Sequence, residues 1–301
     1  MKKEWMNQLS SIVVNGRVCT EEPMSQHTTF KTGGMVDVFV EPFGIEELKE
    51  TIKLLKGEPF YLIGNGSNLL VSDHGLKGVA LHLADGFREI TVEGNLITCG
   101  AAATLSQIAR AALSHSLRGF EFAAGIPGSL GGAIVMNAGA YDGEMKQVVK
   151  RVTLMSYEGE IVEKDAEEMH FSYRHSILKE QPFIVLEAVI ALEAGDQTQI
   201  KEKMDDLAEK RRRKQPLEYP SAGSTFKRPE GYFAAKLIED AGLKGFRVGG
   251  AQVSPKHAGF VINENNASSA DIYALIKEIQ KKVKNTSGVA IEPEVICLGE
   301  F

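Results

Sequence analysis

Gly119-Phe120-Glu121-Phe122-Ala123-Ala124-Gly125-Ile126-Pro127-Gly128-Ser129-Leu130-Gly131-Gly132 opens a stretch that runs through Asn137 to Gly143 and holds seven glycines in 25 residues. The whole chain has 30 glycines in 301 residues. Charge is almost absent here, so the stretch does not read as a solvated linker. Glycine without charge lets the main chain approach a bound group closely and aim N–H donors at it. The stretch therefore reads as a buried cradle for the phosphates of a nucleotide cofactor. The bland alternative is tight packing of glycine-rich turns with no ligand.

A second glycine motif, Gly64-Asn65-Gly66-Ser67-Asn68-Leu69, follows the apolar run Tyr61–Ile63. A GxGxxG dinucleotide fingerprint needs a third glycine where Leu69 stands, and a helix after it. Another apolar strand follows instead, which argues against a Rossmann fold. Alone, the motif is also compatible with a plain hairpin loop. Two glycine-rich loops in successive lobes suit an elongated dinucleotide, and FAD fits better than a mononucleotide.

Around these loops the pattern divides into three lobes. Strands are expected at Val36–Val40, Phe60–Ile63, Leu69–Val71 and Val79–Leu83, with a helix over Ile45–Lys56 stopped by Gly57 and Pro59. Glu89–Val92 and Leu96–Cys99 flank a Gly94-Asn95 turn, and a helix from Leu105 to Ser116 opens with the capping box Thr104-x-x-Gln107. Strands near Val152–Ser156 and Phe183–Leu192 complete that lobe. A polar helix from Gly195 to Gln215 ends in Lys210-Arg211-Arg212-Arg213-Lys214, either a basic last turn that complements the helix dipole or a phosphate contact. Beyond Pro216 come a helix over Tyr232–Ala241, strands Ala251–Val253 and Gly259–Ile262, a helix over Ala270–Lys284 and a final strand Ala290–Leu298.

The hydrophobic content of 43% and charged content of 25% are those of a globular protein, and the net charge of −6 provides no basic field for nucleic acid or an anionic membrane. The start lacks a secretory h-region, and no apolar run approaches a membrane span. Cys19, Cys99 and Cys297 are scattered and odd in number, so they read as buried or semi-buried thiols of a reducing, cytoplasmic compartment, with no metal site. Nothing in the pattern calls for an oligomer, and a monomer is compatible with it.

Three further segments carry chemistry. In Phe171-Ser172-Tyr173-Arg174-His175-Ser176, Arg174 offers a permanent planar cation for a carboxylate or phosphate, or else an ordinary ion pair. Pro220-Ser221-Ala222-Gly223-Ser224-Thr225-Phe226-Lys227-Arg228 reads locally as a Ser/Gly loop. Glu292-Pro293-Glu294 puts two carboxylates on one face of a strand, as an acid or as edge protection.

In this order the segments resemble the UDP-N-acetylenolpyruvoylglucosamine reductase family. The likeness runs from Thr28-Thr29-Phe30-Lys31-Thr32-Gly33-Gly34 through Gly64–Leu69, Gly125–Gly143, Ser172–Ser176 and Ala222–Lys227 to Glu292–Val295. Each string is modest alone; the ordered set is specific. The resemblance implies an α+β chain, with a vanillyl-alcohol-oxidase-type two-lobed FAD-binding fold and a C-terminal α+β substrate-binding lobe. The corresponding limits are 1–84 with 295–301 for the first lobe and 85–195 for the second. A connecting helix over 196–215 and a substrate lobe over 216–294 follow. It implies non-covalent FAD held by Gly64, Asn65, Gly66, Ser67, Asn68, Leu69, Gly125, Pro127, Gly128, Ser129, Gly131, Gly132 and Asn137, with NADPH as electron donor. The implied substrate is a UDP-sugar enolpyruvyl ether, reduced to UDP-N-acetylmuramate for peptidoglycan.

Hydride addition to that enolpyruvyl group pushes electrons toward an existing carboxylate, and a preorganised cation or carboxyl must meet the new charge. By motif position, Arg174 and Glu294 are implied as that pair, and Ser224 as the acid that protonates the adjacent carbon. Arg174, Lys227, Arg228 and His257 are implied substrate contacts. Only eight residues, His175 to Pro182, separate Arg174 from Phe183, so the chain resembles the shorter branch, which lacks a tyrosine-bearing insertion. His27 and Met35 depart from the usual Asn and Pro. A related FAD oxidase of a sugar or alcohol and a non-catalytic nucleotide-binding regulator are the competing readings. The Arg174–Ser224–Glu294 set speaks against both.

Overall fold

The computed structural model describes residues 2–83 and 85–301. The lobe limit expected at residue 84 lies outside the described residues. The chain forms two compact units. One comprises the segment ending at Thr20 with Val38–Asn65 and Gly78–Lys210; the other comprises Glu21–Asp37, Gly66–Lys77 and Arg211–Phe301.

A four-stranded sheet runs in the order Arg17–Pro23, Met35–Glu41, Leu76–His82, Phe60–Ile63. Phe60–Ile63 lies parallel to its neighbour. A five-stranded, wholly antiparallel sheet runs Ile161–Asp165, Val149–Ser156, Phe183–Ala191, Leu96–Gly100, Ile90–Glu93. Its centre is the nearly continuous apolar strand Phe183–Ala191, buried on both faces. Val38, Leu48, Leu81, Ile97, Leu105, Ile108, Ile134, Leu154 and Ile190 are all completely buried in one continuous core. The helix Leu105–Ser114 starts where its sequence indicates: Thr104 Oγ1 accepts the Gln107 N–H at 3.3 Å, and Gln107 Oε1 accepts the Thr104 N–H at 2.9 Å.

In the second unit, the helix Ser269–Ser287 lies on the antiparallel strands Arg247–Val248, Ala251–Val253 and Val261–Asn263. The expected stripe Ile272, Leu275, Ile276, Ile279 and Val283 is entirely buried. Ser268 and Asp271 form its capping box. The distant Asp73 carboxylate adds acceptors for the N–H groups of Ser269 (2.9 Å) and Ala270 (2.8 Å).

Five elements differ from expectation. Lys2–Ile12 is a helix and Arg17–Pro23 a strand; the polar composition of this segment hides both. Leu130–Met136 is a helix that begins inside the glycine stretch, because burial of Leu130, Ala133 and Ile134 outweighs the low helix propensity of Gly131-Gly132. The helix expected from Tyr232 starts at Ala234. Only Ile296–Leu298 of the expected final strand is regular, parallel to Leu69–Val71. Residues 292–294 instead make an isolated bridge, as Pro293 has no N–H to continue a ladder. Among the described residues no cysteine is in a disulfide: Cys99 is buried and Cys19 half-buried as expected, whereas Cys297 is exposed. Burial, reinforced by Glu187, pushes the Cys99 thiol up to about 12.

A polar cluster ties the first sheet together. Glu41 accepts from His82 Nδ1 at 2.8 Å and from Arg17 Nε at 2.6 Å, and the His82 ring stacks on Phe39. The His82 hydrogen bond, with Arg17, holds the Glu41 carboxyl down to about 2 from its ordinary 4.5. A depressed carboxyl stabilises the fold above its ordinary range, and that stability is lost as pH falls through 4.5 toward 2. Glu41→Gln is therefore expected to cost about 1–2 kcal/mol near neutral pH, allowing for solvent screening, and almost nothing near pH 2. Urea midpoints of both proteins across that range check it; parallel pH curves would contradict it.

Candidate active site

The first unit holds the main glycine turn. Strand Phe60–Ile63 delivers Gly64, where an added Cβ would come within 2.6 Å of Ser129 Oγ. The two glycine-rich segments therefore meet at Gly64 and Ser129. The turn is fastened from behind: the N–H groups of Leu130 and Gly131 donate to the carbonyls of Ala103 and Ala101, each at 2.8 Å, and Leu105 N–H donates to Gly128 O at 3.1 Å. Asn65, Gly125, Pro127 and Gly132 are exposed on its outer side. The bland alternative holds for part of the stretch, since a Cβ at Gly143 would meet Phe122 at 2.4 Å and one at Gly139 would meet Gly143 O at 2.6 Å.

The outer side fits a phosphate-bearing cofactor. No charged residue occurs between Phe122 and Tyr141 or between Phe60 and Ser72, so nothing there repels a pyrophosphate. A Cβ at Gly132 would find only Ser129 Oγ, 3.6 Å away. Ser129 sits at the helix N-cap but makes no side-chain cap bond.

Gly66 to Leu69 belong to the second unit. Gly66 has φ +60, and a Cβ there would lie 1.9 Å from the His27 carbonyl oxygen. Its own carbonyl accepts from Thr29 N–H at 3.2 Å, so the Thr28–Gly34 motif serves as the plinth of this loop. Asn68 grips the chain around Glu294: Asn68 Nδ2 donates to Glu294 O at 3.1 Å, and Ile296 N–H donates to Asn68 O at 2.9 Å. Leu69 pairs with Ile296. Ser67 is half-buried in the same loop.

Arg174, in the first unit, occupies a tight turn. Ser172 and His175 exchange both backbone hydrogen bonds at 3.1 Å, and Arg174 has φ +54. A left-handed conformation costs a residue with a Cβ about 1–2 kcal/mol, and its persistence marks a site held by its surroundings. Lys179 Nζ donates to Arg174 O at 2.7 Å, the fully buried Ser176 donates to Val135 O at 2.9 Å, and Asn137 Nδ2 donates to Ser172 O at 3.0 Å. The guanidinium reaches Gly139 O at 3.3 Å and lies over Tyr173.

The second unit gathers Ser224, Glu294, Lys227 and His257. Segments 224–227 and 292–294 pair antiparallel: Glu294 N–H donates to Thr225 O at 2.8 Å and Lys227 N–H to Glu292 O at 2.9 Å. Thr225, fully buried, also donates its N–H to Gly259 O (2.8 Å) and accepts the Val261 N–H on Oγ1 (3.0 Å). Ser224 is left exposed beside this knot. His257 Nδ1 accepts the Gly259 N–H at 3.1 Å, and burial pulls the imidazole below its ordinary range. The ring is therefore neutral at pH 7, with its proton on Nε2 as a donor. Lys227 pairs with Glu292 at 3.0 Å. Arg228 lies 4.0 Å from the centroid of Phe233, which is 61% exposed next to the exposed Tyr232.

An antiparallel sheet carrying an uncharged glycine turn, followed by a separate α+β unit, defines an FAD-binding oxidoreductase class. Residues 36–165 match the family model of an FAD binding domain, and residues 215–298 that of the UDP-N-acetylenolpyruvoylglucosamine reductase C-terminal domain. The reductase of this name from Caldanaerobacter subterraneus subsp. tengcongensis is 52% identical over 297 residues, covering 98% of each chain. The one from Clostridioides difficile is 49% identical over 294 residues, covering 97% of each. The crystal structure of UDP-N-acetylenolpyruvylglucosamine reductase from Thermus caldophilus superposes with a TM-score of 0.84 at 32% identity, covering 94% of this chain and 100% of that one. The chain belongs to the UDP-N-acetylenolpyruvoylglucosamine reductase family. Its fold is the α+β, FAD-binding one that the sequence implies, and no described helix is long and apolar enough to cross a membrane.

Gly66→Ala, which sets a Cβ against backbone in a left-handed conformation, is expected to cost about 1–3 kcal/mol and to loosen FAD retention. Gly64→Ala should be milder, because the Ser129 hydroxyl can rotate away. Flavin absorbance after gel filtration and urea unfolding check this; equal effects would contradict it.

Proposed function

We propose that Arg174, Ser224 and Glu294 carry the chemistry of the reaction that family membership gives this chain. That reaction is the NADPH-dependent reduction of the enolpyruvyl group of UDP-N-acetylglucosamine enolpyruvate to UDP-N-acetylmuramate, in peptidoglycan synthesis. FAD, which the glycine loops would hold, would supply hydride chemistry at the enolpyruvyl methylene carbon, with NADPH as the source of electrons. Negative charge then develops on the substrate carboxylate. The Arg174 guanidinium and the Glu294 carboxyl meet it with a fixed cation and a shared proton, and the Ser224 hydroxyl delivers the proton to the adjacent carbon. Lys227, Arg228 and His257 are substrate contacts, the two cations toward its anionic groups and His257 through the Nε2–H of its neutral ring.

The observation that carries this reading is the antiparallel pairing of 224–227 with 292–294, which joins two segments far apart in sequence at the two positions assigned to proton chemistry. The left-handed backbone of Arg174 supports the third assignment. We further propose the glycine-loop set from Gly64 to Gly132 as FAD contacts and keep the four limits given from sequence. The scattered, odd-numbered cysteines Cys19, Cys99 and Cys297 support a reducing, cytoplasmic setting.

Ser224→Ala is expected to bind FAD and to be bleached by NADPH at the wild-type rate, while flavin reoxidation by the enolpyruvyl nucleotide falls roughly a hundred- to ten-thousandfold. Glu294→Gln should follow the same pattern. Stopped-flow absorbance without oxygen separates the two half-reactions. Equal loss of both would remove Ser224 from the acid role.

A further inference from the structure

The resemblance that identifies the glycine loops also carries Asn137 among the cofactor ligands, and the structure gives this side chain different work. Asn137 is 1% exposed and sits in the left-handed conformation, φ 41 and ψ 56, that ends the helix Leu130–Met136. Its amide is fully engaged inside the protein. Nδ2 donates to Glu144 Oε2 at 3.1 Å and to the Ser172 carbonyl at 3.0 Å, and Oδ1 accepts the Lys146 N–H at 2.9 Å. Both amide hydrogens are used, so no donor is left for a cofactor.

The Ser172 carbonyl is the first residue's oxygen in the turn that carries Arg174, and it also accepts the His175 N–H that closes that turn. Asn137 therefore grips, from outside, the hydrogen bond that keeps Arg174 left-handed. Glu144 is itself fixed, through its capping box with Gln147. The chain of contacts runs Glu144, Asn137, Ser172, Arg174, entirely within one compact unit.

We propose that Asn137 is a positioning residue for Arg174: it locks the Ser172–His175 turn so that the guanidinium meets the substrate carboxylate, and it does not touch FAD. The inference rests on the assignment of Arg174 above. Asparagine suits the place twice, since it tolerates the left-handed backbone and supplies two donors and an acceptor in one plane. Asn137→Gly keeps the backbone conformation and deletes only the amide. Asn137→Asp keeps the shape and replaces the donors by a carboxylate facing the Glu144 carboxylate and the Ser172 carbonyl. That carboxyl is pushed toward its protonated form by its neighbour, and when protonated it again donates.

The test uses the FAD-loaded, full-length protein and measures both half-reactions at saturating substrate. In Asn137→Gly, bleaching by NADPH should stay within about threefold of wild type, while reoxidation by the enolpyruvyl nucleotide falls about tenfold to a hundredfold, the scale of a catalytic group displaced by a fraction of its reach. In Asn137→Asp, the same loss should shrink as pH is lowered, a recovery that simple loss of packing does not give. In an Arg174→Ala background, Asn137→Gly should add about twofold or less, because the residue to be positioned is gone. Normal reoxidation in Asn137→Gly, equal loss of both half-reactions, or full additivity with Arg174→Ala overturns the proposal. If Asn137→Gly does not fold, a pH-independent loss in Asn137→Asp overturns it equally. Arg174→Ala with unimpaired reoxidation would instead overturn the assignment of Arg174 itself.

Discussion

Two backbone hydrogen bonds of 2.8 Å, from Leu130 to Ala103 and from Gly131 to Ala101, hold a short helix against the antiparallel sheet, and both segments of the first unit proposed to carry function are attached to that helix. Its leading end carries the Gly125–Ser129 turn, proposed above as an FAD contact. Its trailing end supplies Val135 O to Ser176 and the Asn137 amide to Ser172, which fix the Arg174 turn. A helix of only 7 residues would not persist alone. Burial of Leu130, Ala133 and Ile134 against the sheet is what stabilises it.

The second unit solves a related problem by other means. Ser224 and Glu294 come from a small-residue loop and a proline-interrupted segment, neither of which is rigid by itself. Thr225 ties them down: its N–H and hydroxyl are bonded to the Gly259–Val261 segment and its C=O to the Glu294 N–H. Asn68 then grips Glu294 from the other side. Charged transition states need donors that do not reorganise when charge appears, and a fully satisfied backbone knot is an inexpensive way to obtain them. Arg174, Ser224 and Glu294 are exposed or half-buried, whereas Ser176, Asn137 and Thr225, which brace them, are buried.

Local chemistry was legible in the sequence where it is local in fact. The Thr104 capping box, the Gly94-Asn95 turn and the buried stripe of Ile272, Leu275 and Ile276 all depend on neighbours within a few residues, and all stand as read. The glycine stretch was legible only as a whole. Which glycines face outward, as Gly132 does, and which make room for Phe122, as Gly143 does, depends on packing partners that residue spacing does not reveal. Asn137 illustrates the same limit. Its type matches a ligand and a clamp equally well, and the bond to Ser172 on which the clamp proposal rests comes only with the fold. The final strand failed for a nearer reason, since Pro293 breaks the ladder that its apolar neighbours favour.

The account stands or falls on a flavin that is reduced by one nucleotide and reoxidised by another. With oxygen excluded, the absorbance of the purified protein near the flavin maximum measures this directly. It should be yellow, lose its colour on addition of NADPH and regain it on addition of the enolpyruvyl UDP-sugar. A colourless protein that takes up no FAD, or a bleached one whose colour only oxygen restores, would contradict it.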